Sequence, residues 1–279
     1  MEKIYATYNF QESKIEYRNL RQEYGTHHQH FWFHEQLVPI ENRIGDKSKI
    51  IGYRFDEYML HWWEIYTQLW YESPSNVHFI SKVESGDVVV DIGANIGMYS
   101  YQAIENGASK VISFEPYPQL YQCLSYNKEI NQDVYNWCIG SENNIVEMIT
   151  TVGGCPTMKN YFDTWQEKGE RYDHRPVHGK YYAPCYTLDY LFDNGVLDTV
   201  DFMKIDAEGA EVDILKGCSD ENLGKIKKMA LEVHRTVDSD MIELQNTMVD
   251  RLGTHYTHCF AYTRGDGQGG VEEIQFVYG

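Results

Sequence analysis

The stretch VVVDIGANIGMYS, residues 88–100, decides the fold of this 279-residue chain. Its apolar β-branched run predicts a buried strand that ends at Asp91. Gly93 and Gly97 follow, and glycines in a turn let the backbone approach a ligand closely. The helix expected over 95–106 begins with N–H groups that no carbonyl within the helix accepts. The stretch therefore predicts a strand–turn–helix unit that holds a ligand at its turn.

The acid at the end of the strand indicates which kind of ligand the turn holds. Dinucleotide-binding turns read Gly-x-Gly-x-x-Gly, whereas this turn reads Asp-x-Gly-x-Asn-x-Gly. The carboxylate of Asp91 would repel a pyrophosphate, and it would attract a ligand that carries an ammonium or a sulfonium group. The turn therefore favours S-adenosylmethionine over NAD. Asn95, inside the turn, is either a helix cap or a donor to the ligand.

Alternating strand and helix patterns continue from Gly86 to the end of the chain. The predicted strands cover residues 87–92, 110–115, 134–139, 144–149, 200–206, 226–234, 255–263 and 271–278. The predicted helices cover residues 95–106, 117–131, 187–189, 210–216 and 239–252. Such alternation indicates an α/β fold with a mainly parallel sheet and helices on both faces. The glycine-rich segment 264–270 separates the last two strands and predicts an antiparallel pair at one edge.

Two regions stand apart from this pattern. Residues 1–75 are rich in aromatic residues and histidines, and we expect a mainly helical extension that packs on the main domain, 76–279, or forms a homodimer contact. His30 and His34 have the spacing of metal ligands on a helix, but no carboxylate or thiol nearby completes a set, so ordinary packing is favoured. Residues 151–186 lack clear periodicity and are interpreted as a long substrate-side insertion.

The composition argues against several classes of partner. The chain has 42 acidic residues against 24 lysines and arginines, a formal net charge of −18. Such a surface repels phosphodiester backbones and anionic membranes, so no nucleic-acid partner is expected. No long apolar span or signal peptide is recognisable, and membrane insertion is not expected. The six cysteines are scattered without a C-x-x-C pair, which predicts reduced thiols and a cytoplasmic location.

Ionisable residues stand where the predicted strands end. In open parallel sheets, ligands bind beyond the carboxyl ends of the strands. The residues at those ends are Asp91, Glu115, Asp206, Glu232 and His234. Charged groups that converge on one edge need partners or a ligand. Glu115 follows the last glycine of the turn by 18 positions, where an acid can accept both hydroxyls of a ribose.

Four further motifs accompany the glycine turn DIGANIG at 91–97. They are FEP at 114–116, TLD at 187–189, KIDAEGAE at 204–211 and LKG at 215–217. Together they resemble the FkbM family of class I S-adenosylmethionine-dependent methyltransferases, over residues 86–278 and most specifically in the 204–211 block. The resemblance implies a Rossmann-like three-layer sandwich, with a seven-stranded, mostly parallel sheet of order 3-2-1-4-5-7-6 and an antiparallel edge strand. Many members of the family O-methylate sugars and glycosylated metabolites.

The resemblance also implies roles for particular residues. It places Asp91, Gly93 and Gly97 along the methionine portion of the donor and Glu115 on its ribose. It places Asn136–Cys138 beside the adenine and Asp206 near the transferred methyl group. Counting Asn95 and Pro116, which stand in the same motifs, the predicted cofactor-binding residues are Asp91, Gly93, Asn95, Gly97, Glu115, Pro116, Asn136, Trp137, Cys138 and Asp206.

Methyl transfer to a hydroxyl needs little catalytic machinery. The methyl group on a sulfonium is already electrophilic, so the enzyme aligns a nucleophile and removes its proton. His234 is the first choice for the general base, because imidazole titrates near neutral pH. Asp206 and Glu208 are rival candidates. The predicted acceptor is a hydroxyl of a sugar, a glycan or a glycosylated small molecule.

Three alternatives stay open from the sequence. Asp206, Glu208, Glu232 and His234 could hold Mg²⁺ or Ca²⁺, but this divalent-metal site is not favoured, because Glu208 and Glu211 also suit a helix N-terminus. An NAD(P)-dependent oxidoreductase is the second alternative, although the third glycine of its motif is missing. A catalytically silent, cofactor-binding partner subunit is the third.

Overall fold

The computed structural model describes residues 38–39, 51–52, 83–151, 156–168, 177–234, 250–256, 259–265 and 271–278. In chain order the strands within these residues are β1 (Val38–Pro39), β2 (Ile51–Gly52), β3 (Val88–Ile92), β4 (Lys110–Phe114), β5 (Gln132–Tyr135), β6 (Cys138–Ile139), β7 (Asn144–Thr151), β8 (Thr157–Met158), β9 (Val177–Tyr186), β10 (Val200–Ile205), β11 (Ile226–His234), β12 (Cys259–Gly265) and β13 (Val271–Tyr278). The helices are α1 (Met98–Glu105), α2 (Pro118–Asn127), α3 (Lys159–Lys168), α4 (Leu188–Asp193), α5 (Glu211–Lys216) and α6 (Asp220–Leu223), and residues 250–255 are also helical.

The main sheet has seven strands in the order β12-β13-β11-β10-β3-β4-β5. Counted along the chain within this sheet, that is the expected order 3-2-1-4-5-7-6. Every neighbouring pair from β5 to β11 is parallel, whereas β13 is antiparallel to both β11 and β12. The antiparallel pair expected at one edge is confirmed as β12 and β13. Within this pair the antiparallel strand of the sheet is β13 and not the edge strand, because β12 runs in the same direction as β11.

The centre of the sheet is buried on both faces. Val89 and Val90 of β3 are completely buried, and they belong to separate apolar clusters on opposite sides of the sheet. Such two-sided burial explains why the sequence of β3 is a continuous apolar run rather than an alternating one. In register, Asp91 lies between Lys204 of β10 and Ser113 of β4. The carboxyl ends of the three strands consequently meet at one edge.

A second sheet, of order β6-β9-β7-β8, corrects two expectations. The strand predicted over 134–139 is two strands, because β5 joins the main sheet and β6 pairs with β9. The insertion at 151–186 contains β8, α3 and β9. Its regular structure was hidden because Gly179 and Pro184, residues that usually interrupt strands, lie within β9.

The N-terminal region is described only at β1 and β2, which form an antiparallel pair. The helices predicted for the rest of 1–75, and the histidine pair His30 and His34, lie outside the described residues. So does the predicted helix at 239–252 before residue 250. Residue 255 is helical, so β12 begins at Cys259 and not at the predicted position.

Candidate active site

A partly open cleft lies at the carboxyl ends of β3, β4 and β10. Of the residues predicted from the sequence, those that line it are Gly93, Asn95, Glu115, Pro116, Trp137, Cys138, Asp206 and Glu208. Apolar residues of the second sheet, including Met148 and Met158, complete its wall. The cleft thus lies at the edge of the sheet where the strand ends predicted a ligand site.

The glycines of the turn are required by the packing of the chain itself. Gly93 has a φ of 74° and Gly97 a φ of 93°. A Cβ on Gly93 would lie 1.8 Å from the carbonyl oxygen of Asp206, and one on Gly97 would lie 2.8 Å from Cδ1 of Leu124. Gly93 also lines the cleft, whereas Gly97 is not among the described residues that do. Close approach to neighbouring chain segments therefore explains both glycines before any ligand is considered.

Asn95 faces the cleft and does not cap the helix that follows. Helix α1 begins at Met98 with Gly97 as its N-cap, and no side chain bonds to that cap. Asn95 adopts a left-handed φ of 53°, a conformation that asparagine tolerates better than most residues. Asn95 is therefore a residue of the cleft wall and not the helix cap, and its donation to a ligand stays a prediction.

The carboxylate of Glu115 is held by the backbone on both sides. Its Oε2 accepts the N–H of Asn95 at 2.9 Å, and its Oε1 accepts the N–H of Tyr117 at 2.8 Å. Burial raises the pKa of Glu115 to about 8, and the two N–H bonds and Lys204 pull it the other way. A carboxyl group offers about four acceptor positions, so the cleft side of Glu115 can still accept two hydroxyl groups.

Asp91 lies beneath the cleft and pairs with Lys204, which was not among the site residues predicted from the sequence. Its side chain is completely buried, and its Oδ1 is 3.2 Å from Nζ of Lys204. The same Nζ is 3.6 Å from Oδ2 of Asp206 and donates to the carbonyl of Gly93 at 2.8 Å. Asp91 is not among the described residues that line the cleft, and its predicted contact with the donor stays a prediction. A lysine inside a buried strand was the available signal, because such a cation needs a partner.

A chain of hydrogen bonds orients the other oxygen of Asp91. Ser100 donates from Oγ to Oδ2 of Asp91 at 2.6 Å. The Ser113 hydroxyl lies 2.8 Å from that of Ser100, and Gln132 donates from Nε2 to Ser113 at 2.9 Å. Since each hydroxyl has one proton, the donors run from Gln132 through the two serines to Asp91. This arrangement fixes the orientation of the Asp91 side chain.

The loop that follows β10 carries two acids of the cleft. Asp206 and Glu208 line it, and Glu208 has a left-handed φ of 48°. Thr157 of β8 donates to the carbonyl of Glu208 at 2.8 Å. Glu211, only 1% exposed, accepts the N–H groups of Ala207 and Gly209 on its Oε1. Glu211 thus holds the loop in shape.

The residues predicted to lie beside the adenine, Asn136–Cys138, have two different roles in the structure. Asn136 donates from Nδ2 to the carbonyls of Glu115 and Pro116, at 2.8 and 2.9 Å. Its part is to fix that loop, and it is not among the described residues that line the cleft. Trp137 and Cys138 do line it, and the Trp137 ring stacks 6.3 Å from that of Phe114, centroid to centroid. An apolar, aromatic wall of this kind suits a flat base.

The remaining candidates lie on β11. Glu232 is buried there and is not among the described residues that line the cleft. His234 is the last residue of β11 and pairs in register with Glu273, but its side chain lies outside the described part of the structure. Where side chains are described, no group of three or more His, Cys, Asp or Glu residues is arranged to hold a metal. Within the same residues, no helix has the length and apolar character needed to cross a membrane.

The sheet order and the cleft at the ends of β3, β4 and β10 define a Rossmann-like class I methyltransferase fold. The sequence of residues 91–259 matches the family model described as the methyltransferase FkbM domain. Because this match spans more than half of the chain, the protein belongs to the FkbM methyltransferase family.

Similar proteins extend the comparison. The chain is 28% identical to methyltransferase sdnD of Sordaria araneosa over 55% of its own length and 68% of that protein. It is 26% identical to the AMB antimetabolite synthetase AmbE of Pseudomonas aeruginosa, over 63% of its own length but only 10% of the synthetase. A solved structure, the precorrin-6y C5,15-methyltransferase of Geobacter metallireducens, aligns at 15% identity and a TM-score of 0.34, over 70% of this chain and 80% of that one.

Proposed function

We propose that this protein transfers a methyl group from S-adenosylmethionine to a hydroxyl of a sugar, a glycan or a glycosylated small molecule. The observation that carries the proposal is the pair of carboxylates, Asp206 and Glu208, on the wall of the cleft. A hydroxyl is a weak acid and must lose its proton as it attacks, so oxygen bases beside the acceptor suit it. Membership of the FkbM family supports the donor.

The cleft has groups that fit each part of this donor. Glu115 would accept the ribose hydroxyls, because each of its oxygens already bonds one N–H and retains acceptor capacity. Trp137 and Cys138 would lie against the adenine. Gly93 and Asp206 would lie along the methionine portion. When bound, the donor supplies an electrophilic methyl group on its sulfonium.

The residues of the chain divide the remaining work. Asp206, whose Oδ2 is 3.6 Å from the ammonium of Lys204, would help to place the cationic part of the donor. Glu208 faces the same cleft from a fixed loop, and it can accept a proton or orient the acceptor. His234, at the end of β11, stays the first choice for the general base. The loop that carries Asp206 and Glu208 is held in one conformation by its hydrogen bonds. This lowers the free-energy cost of aligning the acceptor.

Family membership sets the oxidoreductase alternative aside. A catalytically silent partner subunit stays an alternative, and only methyl release from the donor separates it from an enzyme. The acceptor is expected to be a small molecule or a glycan. The proposed homodimer contact through residues 1–75 lies outside the described residues and is tested by the oligomeric state of the full chain.

The experiment is a methyl-transfer screen with S-adenosylmethionine labelled on its methyl group. The panel contains free sugars, nucleotide sugars and glycosylated small molecules, and mass spectrometry locates the added methyl group. We expect a labelled product methylated on oxygen. Methylation on nitrogen or carbon would refute the O-directed assignment, and donor binding without transfer to any acceptor would favour the silent subunit. A calorimetric titration that shows binding of NAD but not of S-adenosylhomocysteine would overturn the proposed donor.

A further inference from the structure

Lys204 is a buried cation at the point where two loops of the cleft meet. It lies in β10, directly beside Asp91 of β3 in the register of the sheet, and is 5% exposed. Its ammonium group contacts the carboxylates of Asp91 and Asp206 and the carbonyl of Gly93, at 3.2, 3.6 and 2.8 Å. The loop after β3 and the loop after β10 are therefore tied to one nitrogen atom.

The two loops are in unusually close contact at this point. The Asp206 carbonyl oxygen lies 1.8 Å from the place where a Cβ on Gly93 would be, and the Asp206 N–H donates to the carbonyl of Ile92 at 3.2 Å. Gly93 and Asp206 both line the cleft, and Lys204 reaches them from beneath. A small shift of the ammonium would consequently move both residues of the cleft floor.

Stability alone gives a weak reason for this arrangement. A buried ion pair often stabilises a fold no more than apolar residues of the same size would, because both charges lose their water. Its neighbours along the strand, Met203 and Ile205, are completely buried apolar residues. An apolar residue at position 204 could not donate a hydrogen bond to the carbonyl of Gly93 or form an ion pair with the carboxylate of Asp206.

We propose that Lys204 is a positioning residue for the methyl donor. By holding the Gly93 carbonyl and the Asp206 carboxylate in place, it forms the floor against which the methionine portion of the donor binds. Without the ammonium, the carboxylates of Asp91 and Asp206 repel each other and the Gly93 carbonyl loses a donor. The inference rests on the proposed function, because it requires that this cleft binds the donor.

The test compares binding of S-adenosylhomocysteine with thermal unfolding in matched variants. Lys204→Met leaves the two carboxylates without their shared cation, and we expect it to unfold at a clearly lower temperature. The double variant Asp91→Asn/Lys204→Met removes one charge of each sign, so we expect its unfolding temperature to return close to that of the wild type. Its dissociation constant for S-adenosylhomocysteine is nevertheless expected to be at least tenfold higher, because the two loops are no longer tied.

Two controls separate positioning from charge balance. Asp91→Asn alone keeps the ties of Lys204 to Gly93 and Asp206, and we expect it to bind S-adenosylhomocysteine clearly more tightly than the double variant does. Lys227→Met breaks an exposed pair, in which Nζ of Lys227 lies 2.5 Å from Oδ1 of Asp201, and should leave binding unchanged.

Wild-type affinity in the double variant would overturn the proposal, since Lys204 would then serve only to balance charge. Equal weakening in Asp91→Asn and in the double variant would overturn it as well, because the effect would belong to Asp91. A wild-type protein that does not bind S-adenosylhomocysteine would refute the proposed donor itself, and this outcome is distinct from any difference among the variants.

Discussion

The affinity for the donor is expected to depend on pH through Glu115. Burial raises the pKa of this side chain to about 8 in the empty cleft, against the opposing effect of its N–H bonds. At pH 7 roughly nine-tenths of the molecules would therefore carry a proton on Glu115. A protonated carboxyl accepts fewer hydrogen bonds than a carboxylate, because one of its oxygens carries a proton that it must donate. Binding of the ribose hydroxyls should therefore expel that proton.

The size of the effect follows from the pKa. If only the ionised form accepts the ribose, affinity scales with the ionised fraction, which rises about 50-fold between pH 6 and pH 8. Above pH 8 the affinity should level off. The empty protein gives the opposite trend in stability. A raised pKa in an acid means that the folded state holds the proton more tightly, so this contribution to stability is fully present below about pH 4.5 and is lost as the pH rises through about 8.

The assay is calorimetry with 5′-methylthioadenosine, which has the ribose hydroxyls but no group that titrates between pH 6 and pH 8. Titrations at pH 7 in two buffers of different ionisation enthalpy count the protons released, and we expect about 0.9 per ligand bound. Glu115→Gln has nearly the same size but does not titrate, so its affinity should be independent of pH.

A wild-type dissociation constant for 5′-methylthioadenosine that stays within twofold from pH 6 to pH 8 would refute the proposed loss of the Glu115 proton on binding. That loss would also be refuted by a heat of binding that is the same in both buffers. Either result would mean that Glu115 is already ionised in the empty cleft, or that it does not accept the ribose.

Three further predictions concern the turn, the general base and metal. Gly93→Ala should lower the unfolding temperature more than Gly86→Ala. Both glycines have a positive φ, but a Cβ at Gly93 would collide with backbone, whereas nothing lies within 4 Å of a Cβ at Gly86. Equal losses of stability in the two variants, each near the ~1–2 kcal/mol of left-handed strain, would contradict this prediction. His234→Ala should lower kcat about 10²–10⁴-fold with donor affinity unchanged, and near-normal turnover would reject His234 as the base. Incubation with EDTA should leave turnover unchanged, and a loss that Mg²⁺ restores would reverse the preference against a metal.

The main sheet was predictable because its strands carry strong local signals. β3 and β10 are mostly apolar runs of ordinary strand length, and each is followed by a glycine-containing turn. The second sheet was not predictable in this way. β6 has only two residues, and it is a strand because Cys138 pairs with Cys185 of β9, far along the chain. A local pattern contains no information about such a partner, so 134–139 read as one strand.

The site was predictable in position and less so in its internal contacts. The rule about strand ends placed Glu115 and Asp206 together, and both line the cleft. The same rule assigned Asp91 to the ligand, but the structure pairs it with Lys204. That pairing depends on the register between β3 and β10, and single-sequence patterns do not specify register between strands so distant in the chain.

The pairing of Lys204 with Asp91 and Asp206 reduces the negative charge at the site but does not abolish it. Four unpaired carboxylates at the strand ends would have made the empty cleft strongly negative, and their mutual repulsion would have destabilised the folded state. Asp91, Asp206 and Lys204 together carry one net negative charge beneath the floor, and Glu115 is largely neutral at pH 7 before a ligand binds. One negative charge in a buried setting still favours a sulfonium over a pyrophosphate, since the interaction is screened little by salt. It also favours the charged donor over its neutral demethylated product, which helps the product to leave. The preference inferred from the bare acid of the glycine turn thus belongs to the whole Asp91–Lys204–Asp206 group.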